Sequence, residues 1–236
     1  MPSRNEELAG AMTIRIGEGI AQNGFARVRF DGFGACLGVC QTIGEIVAID
    51  DIRSLPSQET DAAVPEDIPF HTDGPVPDVI AWFCVAQDGE AGESLLVDTL
   101  GLLRCLSNED RIHLSGIDVP CHDDRFICDD GGDRALLVGA SEADWQINYT
   151  PWLLPELSYA EKMAVEAFGR LVRDSEPTSF RLAPGEALIV DNWRVLHGRG
   201  LLPTHSKRHL KRLWIRTPRR SRSDRIPVNM AFDSAP

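Results

Sequence analysis

The chain has 236 residues, of which 43% are hydrophobic and 25% charged, with 20 glycines and 15 prolines. These proportions are close to the average for globular domains and exclude collagen-like, coiled-coil and disordered chains. The longest apolar run, residues 79–86, is far shorter than the roughly 18 residues that a membrane-spanning helix needs. Residues 1–10 also lack the apolar core of a secretory signal. We therefore expect a cytoplasmic protein without a membrane partner.

The cysteines are scattered, and no two of them form a Cys-x-x-Cys pair. A chain of this length can build its hydrophobic core without disulfides. We therefore expect ordinary reduced side chains and no thiolate metal site at the six cysteines, which are Cys36, Cys40, Cys84, Cys105, Cys121 and Cys128.

The charge is distributed unevenly along the chain. The formal net charge is −12, with 24 basic and 36 acidic residues, yet residues 192–225 contain 11 of the basic residues and a single acidic one, Asp224. Such a stripe is typical of a solvated basic face, a nucleic-acid site or a buried site for a small carboxylate. An overall negative field slows the approach to phosphate backbones, so we expect no nucleic-acid partner and favour the carboxylate site.

Hydrophobic periodicity and turn residues predict the elements in chain order. They are a helix over the first 22 residues ended by Asn23-Gly24, a strand at 25–30, a turn at Asp31-Gly32, a loop at 55–69, inner strands at 79–86 and 94–98, a helix start at Ser107, a helix at 159–173, a turn at Pro184-Gly185, and strands at 186–190 and 210–215. Many short strands with a few outer helices predict an α+β fold with a mainly β core, a sandwich or an open barrel. Glycine and proline are spread evenly, which favours a single domain over residues 1–236.

Residues that could bind a metal occur at two separate places. His71 and Asp73 follow the proline-bearing loop, and in an extended segment their side chains point to the same side. His197 follows an apolar strand and a polar turn, and precedes Gly198-Arg199. Two histidines and one carboxylate form the facial triad of non-haem Fe(II) oxygenases, which leaves three metal positions open.

Two arginines follow His197 at a spacing that supports the same site. Arg208 and Arg212 are 11 and 15 residues beyond it and share strand parity. An arginine on this face could therefore enter the metal cavity and form a two-pronged pair with a carboxylate. A dicarboxylate cosubstrate would require such a partner.

Four motifs together resemble the taurine dioxygenase and clavaminate synthase-like family. They are Phe-His-Thr-Asp-Gly at 70–74, Gly-Glu-Ser-Leu-Leu-Val-Asp at 92–98, Asp-Asn-Trp-Arg-Val-Leu-His-Gly-Arg at 191–199, and Arg-His-Leu-Lys-Arg-Leu-Trp at 208–214. The resemblance covers a core of about residues 24–217 and leaves an arginine-rich tail at 218–236. The family's enzymes depend on Fe(II) and 2-oxoglutarate and use O2. Their fold is a double-stranded β-helix, or jelly roll, with flanking helices.

The resemblance implies a role for each matching residue. His71, Asp73 and His197 would bind Fe(II), Arg208 would pair with the distal carboxylate of 2-oxoglutarate, and Ser94 would assist where the family often has threonine. Arg212 matches a second family arginine, which lies near the metal-chelating end of the cosubstrate or the acidic group of the substrate. Residues 122–152 are the expected cover of the active site.

The implied activity is hydroxylation of an unactivated C–H bond in a small polar molecule, such as an amino acid or a biosynthetic intermediate, with release of succinate and CO2. Asp73 favours hydroxylation because related halogenases replace this carboxylate with a small residue to admit chloride. Desaturation or cyclisation would use the same oxidant. The alternatives from other classes are a zinc-dependent hydrolase, a non-catalytic binding module and a nucleic-acid binder using residues 207–225. The substrate and the oligomeric state are not predicted, although the charged turn at 123–134 would suit a zwitterionic substrate if it took part.

Overall fold

The computed structural model describes residues 4–53, 67–74, 77–119, 134–139, 145–203 and 205–217. The arginine-rich tail, most of the predicted loop at 55–69 and most of the charged turn at 123–134 lie outside the described residues.

The described helices are α1 (Arg4–Asn23), α2 (Phe33–Ile43), α3 (Thr99–Cys105), α4 (Asn108–Gly116) and α5 (Tyr159–Asp174), with a 3-10 turn at Pro151–Leu153. The described strands are β1 (Phe25–Arg29), β2 (Glu45–Arg53), β3 (Ile68–His71), β4 (Val79–Ala86), β5 (Ser94–Asp98), β6 (Asp118–Val119), β7 (Arg134–Ala135), β8 (Leu137–Val138), β9 (Gln146–Ile147), β10 (Thr178–Phe180), β11 (Glu186–Asp191), β12 (Val195–Arg199) and β13 (His209–Arg216).

Two antiparallel sheets form the centre of the molecule. The larger sheet has the strand order β1-β11-β4-β13-β2, and the smaller has the order β10-β5-β12-β3. Every neighbouring pair in both sheets is antiparallel. Strands that are far apart in sequence therefore lie side by side, as in the predicted jelly roll.

The hydrophobic core has three layers, because alternate residues of each strand face opposite sides of the sheet. The layer between the sheets includes Trp82, Leu96 and Leu210. The outer face of the larger sheet packs against α1 and α2 through residues such as Ile189. The outer face of the smaller sheet packs against the other helices, where Phe168 of α5 is fully buried. With both faces covered, the central strands are apolar on both sides, which explains the continuous apolar run of β4.

Most of the predicted elements are confirmed by the structure, including the helix start at Ser107 and the helix at 159–173. Ser158 and Glu161 form a capping box at the start of this helix, α5. Helix α2 and strand β2 were not predicted from the sequence. Helix α2 begins after Gly32 without a side-chain cap, so it lacks the usual start signal. Strand β2 is a partly exposed edge strand with two adjacent aspartates, a residue type that is depleted in strands. The predicted loop ends earlier than expected, since β3 begins at Ile68.

Four of the six cysteines lie within the described residues, and all four are free thiols. Cys36, Cys40 and Cys84 are buried free thiols and Cys105 is an exposed one, whereas Cys121 and Cys128 lie outside the described residues. Within the part of the chain that the structure describes, no helix is long and apolar enough to cross a membrane.

Candidate active site

The two predicted histidine ligands are cross-strand neighbours in the smaller sheet. His71 ends β3, and it lies directly opposite His197 of β12. Gly198 makes this pairing possible, because a Cβ at this position would lie 2.8 Å from the backbone oxygen of Ile68 in β3. The ring centroids of the two histidines are consequently 4.4 Å apart.

The turn after β3 brings the predicted carboxylate ligand to the histidines. The backbone N–H of Asp73 donates to Oδ1 of the fully buried Asn192 at 3.0 Å. The amide of Asn192 in turn donates to the carbonyls of Gly74 and Pro77. Asn192, which belongs to the third motif, therefore fixes the backbone that carries Asp73.

His71, Asp73 and His197 converge on one point. Oδ1 of Asp73 is 3.5 Å from Nε2 of His71 and 3.4 Å from Nε2 of His197, and the candidate ligand atoms all lie within 4.8 Å of one another. Metal–ligand bonds of about 2.1 Å place ligands at right angles about 3 Å apart. The observed separations are close to this value, and the donor set of two imidazoles and one carboxylate suits Fe(II) and also Zn²⁺.

The hydrogen bonding of the two imidazoles is consistent with metal binding through Nε2. Nδ1 of His71 lies 2.8 Å from the carbonyl oxygen of Pro69. When Nδ1 carries the proton and donates to this carbonyl, Nε2 is unprotonated, and its lone pair is available for a metal on the side of Asp73. Such a bond at the second ring nitrogen is typical of metal-binding histidines. Nδ1 of His197 is buried and has no hydrogen-bond partner among the described residues.

The protonation states also suit a cation site. Burial, together with repulsion from His71, lowers the pKa of His197 to about 4, so this imidazole is neutral at neutral pH. Burial acts to raise the pKa of Asp73, but Arg212 and the two imidazoles outweigh it and hold the pKa well below its usual value. A neutral imidazole and an ionised carboxylate are the forms that bind metals.

All six predicted site residues line a single cavity between the sheets. Its volume is about 70 Å³, room for several water-sized groups, since one water needs roughly 10–15 Å³ on this measure. The cavity contains the metal-binding candidates at one place and three arginines around it; its lining residues are Ile52, Ile68, His71, Asp73, Trp82, Ser94, Leu96, His197, Gly198, Arg199, Arg208 and Arg212.

Arg208 is the most unusual charge in this cavity. It is only 8% exposed, and no hydrogen bond or ion pair of its guanidinium is found among the described residues. Burial and the nearby Arg199 lower its pKa to about 10, so it remains a cation at neutral pH. A buried charge without a partner is costly, and an anionic ligand in the cavity would remove that cost.

The backbone around Arg208 is fixed by close packing and by the partly buried carboxylate of Asp88. Asp88 accepts hydrogen bonds from the hydroxyl of Ser206 and the backbone N–H of Lys207. Gly92 has a φ of 74°, and a Cβ there would lie 2.4 Å from Leu202 and 3.2 Å from the Arg208 side chain. The glycine of the second motif therefore allows this loop to approach Arg208 closely.

Arg212 is engaged by two protein carboxylates. Its Nη1 donates to Oδ2 of Asp73 at 2.6 Å, and its Nε and Nη2 donate to Oδ2 of Asp50 at 3.1 and 2.8 Å. These contacts hold the side chain, which was predicted to lie near the cosubstrate or the substrate, against a candidate metal ligand.

Three aromatic or charged residues of the site were not predicted. Arg199 is 3% exposed and lies on the same face of β12 as His197, so strand parity could have identified it. Trp82 contacts the ring of His197 at a centroid distance of 4.8 Å, but it lies in a uniformly apolar strand that gives no signal. Trp152, at the end of the predicted cover, lies 4.9 Å from the His71 ring and is 48% exposed.

The remaining motif residues have structural positions. Asp98 caps α3 and forms an ion pair with Arg194, and Trp193 and Trp214 are buried. His209 is directed away from the cavity and contacts Asp51 of β2.

Replacing Asn192 with alanine should destabilise the protein and the Asp73 turn together. The substitution leaves buried backbone groups unsatisfied, and each such group costs about 1–3 kcal/mol. We expect the free energy of unfolding, measured by urea denaturation, to fall by at least this amount. The exposed Asn23 offers a control, since Asn23→Ala should leave the urea midpoint nearly unchanged. Equal midpoints for the two variants would contradict the anchoring role.

A two-sheet core with two imidazoles and a carboxylate in its interior is typical of the non-haem iron oxygenases. The sequence comparisons agree with this class. Residues 120–214 match the family model described as Taurine catabolism dioxygenase TauD, TfdA family, which confirms the predicted resemblance.

FR-33289 synthase of Streptomyces rubellomurinus is 22% identical over 240 residues, which cover 90% of this chain and 64% of that protein. The chain thus spans just under two thirds of the length of this curated relative.

Solved structures of non-haem iron oxygenases share the fold. An asparagine oxygenase in complex with Fe(II), 2S,3S-3-hydroxyasparagine and succinate superposes with a TM-score of 0.71 at 18% identity, covering 87% of this chain and 79% of that one. The oxygenase OrfP in complex with Fe and alpha-ketoglutaric acid gives a TM-score of 0.69 at 19% identity, covering 89% and 82%. The predicted fold class is confirmed, because the chain shares the fold of these non-haem iron oxygenases.

Proposed function

We propose that this protein is an Fe(II)- and 2-oxoglutarate-dependent oxygenase that hydroxylates an unactivated C–H bond of a small polar molecule. The observation that carries the proposal is one cavity that contains both the convergent His71, Asp73 and His197 and the buried guanidinium of Arg208, for which the described residues provide no hydrogen-bond partner. A metal site alone would suit a hydrolase equally well. The charge of Arg208 indicates a second, anionic ligand beside the metal, which a hydrolase does not need.

Different residues of the cavity would bind the metal, bind the cosubstrate and exclude water. His71, Asp73 and His197 would hold the iron and leave three positions free for cosubstrate and O2. Arg208 would orient 2-oxoglutarate by a two-pronged bond to its distal carboxylate, with the hydroxyl of Ser94 as a further donor. Trp82 and the aliphatic residues of the cavity would exclude water. The bound iron would supply oxidative decarboxylation of 2-oxoglutarate to succinate and CO2 and transfer of the second oxygen atom to the substrate.

The substrate class is part of the proposal. Both similar proteins have been determined with hydroxylated amino acids. The asparagine oxygenase contains 2S,3S-3-hydroxyasparagine, and a mutant of OrfP contains (3S)-hydroxy-L-Arg. An amino acid or a biosynthetic intermediate of similar size would fit a cavity of this kind. We further propose a single domain, with its core at residues 24–217, because the two sheets share one interior layer.

Oxygen uptake coupled to succinate formation tests the proposal. The protein is loaded with Fe(II) and 2-oxoglutarate without air and mixed with a library of amino acids and related metabolites, and air is then admitted. We expect a product heavier by one oxygen atom and one succinate per product. A product lighter by two hydrogens would indicate desaturation or cyclisation by the same site. Metal-dependent hydrolysis without oxygen uptake would show a zinc hydrolase instead.

A further inference from the structure

Asp50 of β2 has no assigned role, yet it lies one side chain away from the candidate metal. It is directly opposite Arg212 in the β13–β2 register, and Arg212 donates to it through Nε and Nη2. The same guanidinium donates through Nη1 to Asp73. Asp50, Arg212 and Asp73 therefore form a continuous chain of charge-assisted hydrogen bonds from the sheet edge to the metal-binding candidates.

The two oxygens of Asp73 have different surroundings in this arrangement. Oδ2 accepts the bond from Arg212 at 2.6 Å, while Oδ1 lies 3.4 and 3.5 Å from the Nε2 atoms of His197 and His71. With Oδ2 engaged, only Oδ1 faces the point where the histidines converge. The orientation of this carboxylate thus depends on where the guanidinium of Arg212 is held.

Asp50 determines that position. A guanidinium has a rigid planar fork, so the two bonds of Arg212 to Asp50 fix the direction in which Nη1 points. The side chains of Arg212 and Asp50 are 17% and 21% exposed, which leaves their pairing only partly screened by solvent. Asp50 also balances the charge of Arg212, which would otherwise repel a divalent cation bound beside it.

We propose that Asp50 is a positioning residue for the metal site: through Arg212 it holds Asp73 in single-oxygen ligation and compensates a positive charge next to the metal. The inference rests on the proposed metal site. It adds that the affinity for a divalent cation depends on a residue that touches neither the metal nor the substrate. Loss of such outer partners typically lowers metal affinity 10- to 100-fold.

Mn(II) binding, followed by the loss of the free-ion electron paramagnetic resonance signal, tests the proposal without turnover. Asp50→Asn keeps the shape of the side chain and removes its charge, and we expect it to raise the Mn(II) dissociation constant roughly 10- to 100-fold. Asp50→Ser is an independent neutral variant and should show the same loss. Asp50→Glu restores the charge and should bind Mn(II) more tightly than either neutral variant.

The neighbouring Asp51 provides the matched control. It lies on the same strand but pairs with His209 and Lys211 at the surface, so Asp51→Asn should bind Mn(II) as the wild type does. If the neutral Asp50 variants lower the melting temperature but keep wild-type Mn(II) affinity, the role of Asp50 is structural and the inference is overturned. If the wild-type protein itself binds no Mn(II), the proposed metal site fails, and this inference fails with it.

Discussion

Replacing His71 or Asp73 with alanine should reduce Fe(II)-dependent succinate formation to the level measured without iron. Each residue supplies one of the three candidate ligands that converge within 4.8 Å, and two remaining ligands would hold iron weakly. A loss of the same size is expected for His197→Ala, which removes the third candidate ligand. Succinate is measured after a fixed time with saturating 2-oxoglutarate, and Mn(II) binding is measured on the same preparations.

The fold should survive both substitutions. Asp73→Ala leaves Arg212 paired with Asp50, and His71→Ala removes a side chain at the cavity wall. Circular dichroism spectra should therefore match the wild type. The exposed His205 gives a control, since His205→Ala should keep full succinate formation. Unchanged turnover in a His71 or Asp73 variant would remove that residue from the metal site.

Arg208→Ala should weaken 2-oxoglutarate binding by about 30-fold or more, because truncating one partner of a buried, hydrogen-bonded charge pair costs about 2–5 kcal/mol. The effect should appear in the dissociation constant of 2-oxoglutarate, measured by calorimetry on protein loaded with a redox-inert divalent metal. It should also raise the KM for 2-oxoglutarate. Arg208→Lys keeps the charge but not the two-pronged geometry, so an intermediate affinity is expected.

The adjacent Lys207 separates this specific role from a general effect of positive charge. Its side chain is exposed, and only its backbone N–H is bound by Asp88. Lys207→Ala should therefore leave the affinity for 2-oxoglutarate unchanged. The metal affinity of Arg208→Ala should stay close to that of the wild type. Equal 2-oxoglutarate affinity in Arg208→Ala and the wild type would show that the cosubstrate is bound elsewhere.

The pattern of substitutions also separates two kinds of contribution to the site. Changes at His71 and Asp73 remove candidate ligands, and a change at Arg208 removes the partner of the cosubstrate. Changes at Asn192 and Asp50 act through the backbone or the side chain that orients Asp73. Losses in metal affinity, cosubstrate affinity and stability should therefore fall on different variants.

The sequence by itself determined four of the central strands and the main candidates of the site. Apolar periodicity identified β4, β5, β11 and β13, and strand parity placed Arg208 and Arg212 on one face. The motifs around His71 and His197 identified the candidate ligands. These signals are local, because each depends on the residues of one strand or one turn. They can therefore be recognised in the sequence without knowledge of the fold.

Only the tertiary structure decided which distant groups contact these residues. Strand β2 has a weak local pattern and forms through its pairing with β13, so the contact of Asp50 with Arg212, between residues 162 positions apart, could not be foreseen. The same is true of Trp152 beside His71 and of the Asn192 bonds to the Asp73 turn. Antiparallel pairing across two sheets creates these contacts, and no periodicity within one segment encodes them.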